Sequence, residues 1–298
     1  MILSRLHPRD FIDFVLKFKM EVCVETKVSA GKKDSSPLAV ITGASSGIGF
    51  ELAKVFAKHG FDLLVVAEDA GIHSAAGAFR ALGVQVTPMQ IDLAQNGGVD
   101  FLYQQITSLG QPVDTLVLNA GVGVGGEFVK TDLAAEMNLI QLNIISVVRL
   151  AKCVLRDMVV SQSGRMLFTS SVAAEMPGPY YAVYAASKAF VQSFAQAIRA
   201  ELKDTGITVT SLQPGATDTA FFTRADMVHT KAGQSEKDDP AVVAQQGFDA
   251  LMAGKDHVVA GSFMNAIQTT IGKFIPETLG ATMQGKQTKP EAGTELSS

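Results

Sequence analysis

Tyr184 and Lys188 stand four residues apart in the stretch YAASK. On a helix that spacing sets a phenol and an ammonium on one face, one turn from each other. A phenol titrating near its usual value of about 10 carries protons poorly at neutral pH, but an adjacent ammonium stabilises the phenolate and is expected to lower that value. Tyr184 thereby becomes a candidate general acid or base. Thirteen positions earlier, Ser171 follows the apolar run Met166 to Phe168. That run reads as a buried strand and sets the hydroxyl near its carboxyl end, where open α/β sheets bind ligands. Tyr and Lys at this spacing also occur on many ordinary helices, with the ring half-buried and the lysine solvated. The pair takes chemical meaning only from its surroundings.

Those surroundings alternate apolar runs with helical periodicity. Leu38 to Thr42, LAVIT, reads as a buried parallel strand. Gly43, Gly47 and Gly49 follow in TGASSGIG, then Phe50 to His59 has helical spacing until Gly60. Glycines at such a turn permit positive φ and let a phosphate reach the backbone, and the helix N-terminus offers unpaired N–H groups to the anion. The plainer reading is an ordinary glycine-rich turn. A second strand, Asp62 to Ala67, ends in Glu68 and Asp69 about 20 residues past the glycines, where a carboxylate would hold an adenosine ribose. Glu68 is the better placed of the two. It favours NAD, because it accepts from both ribose hydroxyls and repels the extra phosphate of NADP. Neither Ser46 nor the stretch AEDAGIH supplies an Arg or Lys for that phosphate.

The pattern continues with a helix over Ala75 to Leu82, a strand over Val84 to Gln90, a helix over Val99 to Leu109 and a strand over Val113 to Leu118. Asp92 and Asn119 close two of these strands, as turn residues at the least. Leu133 to Val160 reads as one long helix containing Asn143, a residue mildly unfavourable inside a helix. After Tyr184, a helix over Ala185 to Leu202, a strand over Ile207 to Leu212, a helix over Pro240 to Met252 and a strand over His257 to Ala260 complete the series. Repeated βα units predict an α/β fold, a single-domain Rossmann-type doubly wound parallel sheet of about seven strands with helices on both faces. Between them Phe221 to Asp239 is polar and aperiodic, as in a mobile lid.

Composition narrows the function classes. A chain of 298 residues, 47% hydrophobic and 18% charged, can bury one large core. A net charge of -4 without long basic runs gives no footprint for nucleic acid. Two cysteines, Cys23 and Cys153, draw neither a disulfide framework nor a metal-ligand cluster, so no metal is expected and a reducing cytoplasm is the simplest location. Phe11 to Val24 is apolar but broken by charges, which suits neither a spanning helix nor a signal peptide. Residues 1–36 therefore read as a poorly ordered extension, 37–275 as the domain, and 276–298 as a tail disordered at its end, from Lys286 onward.

With the glycine turn, Asn119-Ala120-Gly121, Ser171 and the Tyr184/Lys188 pair in this order, the chain resembles the short-chain dehydrogenase/reductase family in its classical form, over roughly Pro37 to Ile275. TGASSGIG matches the family's TGxxxGxG turn and YAASK its YxxxK. Leu118 departs from the family's frequent NNAG. The resemblance implies hydride transfer between a nicotinamide and a secondary alcohol or ketone. In it Tyr184 moves the proton, Ser171 polarises the substrate oxygen, and Lys188 tunes the tyrosine and holds the nicotinamide ribose. Asn143 takes the place of the family's catalytic Asn, which anchors a water. The cofactor would meet Gly43, Ser45, Ser46, Gly47, Ile48 and Gly49, then Glu68, Asp92, Leu93, Asn119, Ala120 and Gly121, then Tyr184, Lys188, Pro214, Gly215, Thr217 and Thr219. The PGATDT segment is similar to broad-specificity reductases that use NADP and usually carry an Arg near Glu68 or Asp69, where this sequence has acids, so resemblance and local chemistry disagree about the cofactor.

The substrate pocket is expected from Gly123 to Glu127, Ala173 to Tyr181 and Phe221 to Val228, with Glu127, Glu175, Arg224 and Asp226 among mostly small, apolar or aromatic residues. That suits a moderately apolar small-molecule alcohol or carbonyl compound. The resemblance adds a homodimer or homotetramer paired through the long helices. Two rival readings are a dinucleotide-binding regulator without turnover and a membrane-peripheral lipid-carbonyl reductase using the N-terminal extension and Phe263 to Ile275 as interfacial segments.

Overall fold

The computed structural model describes residues 36–262 and 276–290. The chain divides into two units, Met1–Lys33 and Asp34–Ser298, and the described residues belong to the second. The N-terminal extension, except Ser36, and the stretch Phe263 to Ile275 lie outside them.

Strands β1 (Leu38–Thr42), β2 (Asp62–Ala67), β3 (Val86–Gln90), β4 (Val113–Leu118), β5 (Gly164–Thr169), β6 (Ile207–Pro214) and β7 (His257–Ala260) form one sheet in the order β3-β2-β1-β4-β5-β6-β7. Every neighbouring pair is parallel. The helices are α1 (Gly47–Lys58), α2 (Gly71–Arg80), α3 (Gly98–Ser108), α4 (Leu133–Ser161), α5 (Ala182–Glu201), α6 (Phe221–Arg224), α7 (Lys231–Gln234), α8 (Pro240–Met252) and α9 (Glu277–Thr288).

Uniformly apolar strands serve two cores at once. In β1, Leu38 and Val40 face a core shared with α3, α4 and α5, whereas Ala39 and Ile41 face the other, shared with α1, α2 and α8. β2 divides likewise, Leu64 and Val66 against Leu63 and Val65. The two-residue period of a strand explains why no polar residue interrupts these runs. Each such Val, Leu or Ile contributes about 1.5–3 kcal/mol on burial. Chain order reverses between β1 and β4, so their carboxyl ends diverge into a crevice.

Local boundaries differ from the sequence reading in instructive ways. α1 begins at Gly47, inside the glycine turn, and β3 begins at Val86. α4 is not α-helical throughout, since Gln141–Ser146 is a π-helical segment around Asn143. By length and composition α4 could cross a membrane, but its Leu139, Asn143, Leu150 and Val154 are buried in the fold, as in a core helix. The polar stretch after Phe221 holds two short helices and buries Phe222 and Met227. Residues 286–288, read as the start of a disordered tail, are the last turn of α9. α9 eluded periodicity because it docks through glycines and polar groups, while Leu279 and Met283 remain about half exposed. Gly280 packs at Met176 and Gly285 at Pro179, and Thr288 Oγ1 donates to the Pro179 carbonyl at 2.8 Å.

Candidate active site

Eighteen residues were expected from sequence to touch a dinucleotide, and all of them line one cavity of about 860 Å³ at the carboxyl end of the sheet, together with Ser171. Asn143 stands just behind its wall. The glycine turn explains the cavity's shape. Gly43 and Gly47 adopt φ of +69° and +58°, which other residues reach only with strain. A Cβ on Gly49 would lie 2.0 Å from the Gly43 carbonyl oxygen and 2.5 Å from Asn119 Nδ2. α1 has neither a side-chain cap at Ser46 nor an acid in its first turn, which leaves its first N–H groups for a ligand. An anionic diphosphate fits this cradle.

Asn119 ties the cradle to the sheet. Its Nδ2 donates to the Thr42 and Gly43 carbonyls at 3.2 and 3.3 Å, and its Oδ1 accepts from Thr169 Oγ1 at 3.2 Å. The backbone N–H groups of Asn119 and Ala120 donate to Thr42 Oγ1 at 3.0 and 3.1 Å. At the end of β2 the two acids differ. Asp69 accepts from Ser45 Oγ at 2.7 Å and from the Gly71 N–H at 2.9 Å, so it braces the loop. Glu68 is exposed on the cavity wall, and its carboxylate has no partner among the described residues. Asp92 Oδ1 accepts from the Ala94 N–H at 2.8 Å, the turn role that the sequence allowed it.

The catalytic candidates meet at the other end. Lys188, 5% exposed, donates from Nζ to the Thr169 carbonyl at 2.9 Å, and lies 5.7 Å from the centre of the Tyr184 ring. Burial disfavours its charge and lowers its pKa to about 8. For Tyr184 the expected direction is reversed. Burial raises the phenol above its ordinary value, a hydrogen bond with Ser171 pulls it down less strongly, and Tyr181 adds a small upward push. The Lys188 ammonium does not outweigh the loss of water around the phenol. Tyr181 itself is pushed up to about 12 by burial, against a hydrogen bond from Gln284 Nε2 at 2.5 Å. Tyr180, just before it, holds φ at +64°, clamped where its carbonyl accepts from the Gly126 N–H at 2.7 Å.

Asn143, 1% exposed, is a buried amide rather than a surface one. Its Oδ1 accepts from the Val122 N–H at 3.0 Å, and its Nδ2 donates to the Val122 carbonyl at 2.9 Å and to Ser187 Oγ at 3.1 Å. Ser187 Oγ in turn donates to the Tyr184 carbonyl at 2.7 Å. A Cβ on Gly121 would sit 3.2 Å from Asn143 Oδ1 and 3.3 Å from Lys188 Nζ, so both groups converge on that glycine. Thr42, Thr169 and Ser187 were not singled out from sequence, although Thr42 opens the glycine turn and Ser187 sits within YAASK. Beyond Tyr184 the wall turns apolar, through Ala173, Met176, Tyr181, Phe221, Phe222, Met227 and Met283. Glu127 and Asp226, expected in the pocket, do not line it. Glu127 pairs with Lys130 at 2.8 Å, and Asp226 occupies a turn at φ +53°.

A glycine cradle at the β1/β4 crevice, joined to a Ser-Tyr-Lys group at the end of β5 and the start of α5, defines a dinucleotide-dependent oxidoreductase of Rossmann type. Residues 37–228 match the family profile described as short chain dehydrogenase, and the chain belongs to that family, whose members act on CH–OH groups with NAD or NADP. It is similar to the oxidoreductase UcpA of Salmonella typhimurium, 32% identical over 214 residues that cover 72% of this chain and 79% of that one. Among solved structures, a short-chain dehydrogenase from Sphingobium yanoikuyae in complex with NADPH is 27% identical with a TM-score of 0.72, covering 87% of this chain and 98% of that one. The bulky-bulky ketone specific alcohol dehydrogenase from Comamonas testosteroni is 25% identical with a TM-score of 0.69, covering 87% and 97%.

Proposed function

We propose that the protein interconverts a moderately apolar ketone and its secondary alcohol, with Tyr184 as the proton carrier. The observation that carries this reading is the convergence of Ser171, Tyr184 and Lys188 on one wall of the cavity whose opposite end is the glycine cradle. A bound nicotinamide supplies or accepts the hydride at the carbon. Gly43, Gly47, Ile48, Gly49 and Thr219 would hold its diphosphate end, and Tyr184 and Lys188 its nicotinamide end.

In the reducing direction Ser171 Oγ orients the carbonyl oxygen, and the Tyr184 phenol gives that oxygen its proton, so C=O becomes CH–OH. The raised phenol pKa keeps Tyr184 protonated and ready to donate. Lys188 stabilises the phenolate left behind, and Asn143 fixes the start of α5 through Ser187. Alcohol oxidation runs the same steps backward. The substituents would rest on Ala173, Met176, Phe221 and Met227, which supports an apolar substrate. Tyr184→Phe is expected to lower kcat by about 10² to 10⁴, with dinucleotide Kd changed less than about threefold. An unchanged kcat would remove Tyr184 from the mechanism.

For the cofactor, the free Glu68 carboxylate supports NAD. Among the described lining residues the cations are Lys188, Arg224 and Lys237, none of which comes from the glycine turn or the end of β2. The Sphingobium relative is in complex with NADPH, so the preference is measured directly by titrating the protein with NADH and NADPH and following nicotinamide fluorescence. Tighter NADPH binding would overturn the NAD reading while leaving the oxidoreductase reading in place.

A further inference from the structure

Neither proton transfer nor the dinucleotide cradle uses Glu175, yet the fold holds it firmly. It ends the 3-10 turn Val172–Glu175 that follows Ser171, and it lines the cavity beside Ala173, Met176 and Tyr181. Gln213, at the carboxyl end of β6 and 0% exposed, donates from Nε2 to Glu175 Oε1 at 2.6 Å. The Oε1 of that same amide is buried without a partner. A hydrophobic residue at 213 would spare the fold an unsatisfied acceptor, so the amide costs the fold stability while its side-chain hydrogen bond goes to Glu175. Glu175 Oε2 has no partner among the described residues and is not sealed from the cavity. No Lys or Arg among the described residues is paired with the carboxylate.

An ionised carboxylate can only accept hydrogen bonds, so whatever meets Oε2 must donate. A polar group fixed in advance beside apolar neighbours such as Ala173, Met176 and Tyr181 discriminates strongly, because a ligand lacking the matching group leaves it desolvated and unpaired. We propose that Glu175, oriented by Gln213, reads a second hydrogen-bond donor on the substrate, a hydroxyl or a protonated amine remote from the reacting carbon. The natural substrates are then hydroxy- or amino-substituted ketones and their alcohols. This rests on the proposed function, with the carbonyl at Tyr184 and the donor at Glu175.

The test uses the full-length protein with NADH and NADPH and a series of linear ketones carrying a terminal hydroxyl or amine at increasing distance from the carbonyl, each beside its unsubstituted partner. The quantity read is the ratio of kcat/KM within a pair, in which any general loss of activity cancels. At the matching chain length the wild type is expected to favour the substituted ketone by about tenfold or more. Glu175→Leu should bring that ratio to near one. Glu175→Gln, which can still accept from Gln213, should abolish the amine preference and keep part of the hydroxyl preference, so comparison of the two arms identifies the donor. Calorimetric titration of the same ketones into the protein with oxidised NAD or NADP bound, a pairing with no hydride to transfer to the ketone, reads the contact without turnover. A preference in affinity with no turnover would uphold Glu175 and overturn the oxidoreductase reading. No preference at any chain length in either measurement, or a preference unchanged in Glu175→Leu, would overturn the proposal.

Discussion

Replacing Lys188 with Met should change how the protein's stability responds to pH. In the folded chain the Lys188 ammonium is buried, and its pKa falls from the ordinary 10.5 to about 8. In the unfolded chain it returns to the ordinary value. Between these two values the unfolded state binds more protons, so stability rises with pH. The contribution of Lys188 is fully present above the unfolded value and is lost as the pH falls through about 8. One pH unit inside that window is worth about 1.4 kcal/mol. From pH 7 to about 9.5 the wild type should therefore gain roughly 2 kcal/mol relative to Lys188→Met. Urea unfolding of both proteins at a series of pH values measures this, because every other titrating group is common to the pair and cancels in the difference. Loss of the hydrogen bond to the Thr169 carbonyl shifts the mutant by a near-constant amount and leaves the slope alone. Parallel curves would refute the argument, since they would mean that the ammonium keeps its water in the folded state. A difference of opposite sign would mean that a nearby anion, rather than burial, sets its pKa.

Two further changes probe the cradle. Gly49→Ala drives a methyl group into the Gly43 carbonyl and Asn119 Nδ2. Overpacking of about 1–3 kcal/mol, with about 1 kcal/mol for each Asn119 hydrogen bond displaced, predicts a Tm lower by roughly 5–10 °C. Calorimetric scanning reads it, and an unchanged Tm would show that the turn yields without cost. Glu68→Arg should shift the NADH/NADPH affinity ratio toward NADPH by about tenfold or more, and a static ratio in fluorescence titration would show that Glu68 does not face the ribose.

The sheet was readable because its inner strands, β1, β2, β4, β5 and β6, are buried along most of their length on both faces. Runs such as LAVIT and DLLVVA admit no other placement once each is followed by a short turn and a helix. The cofactor wall was readable because its residues come from strand ends, which the order of the runs locates. Less local facts were hidden. Tyr184 and Lys188 are close, as their spacing implied, but the direction of the phenol's shift depends on how much water the surrounding aromatic side chains exclude, and Phe221 comes from a distant segment, its ring 4.9 Å from that of Tyr184. The bond from Gln213 to Glu175 joins residues 38 apart, and no periodicity marks it. α9 lacks an apolar stripe, so its docking on Pro179 and Tyr181 left no trace in hydropathy.

The π-helical segment at Gln141–Ser146 makes α4 sensitive to length more than to composition. A π-bulge is an α-helix carrying one surplus residue, and each residue of an α-helix turns the chain by about 100°. Deleting a single residue there would let α4 relax into a continuous α-helix. Leu133–Ile140 and Val147–Ser161 would keep nearly their present faces, because the bulge absorbs the surplus residue, but the segment between them would rewind and Asn143 would leave Val122 and Ser187. Scans that exchange one side chain for another would pass over this dependence at most positions of the segment. A deletion scan would find it at once, as a short window in which one missing residue abolishes the site while the same deletion in a surface loop is tolerated.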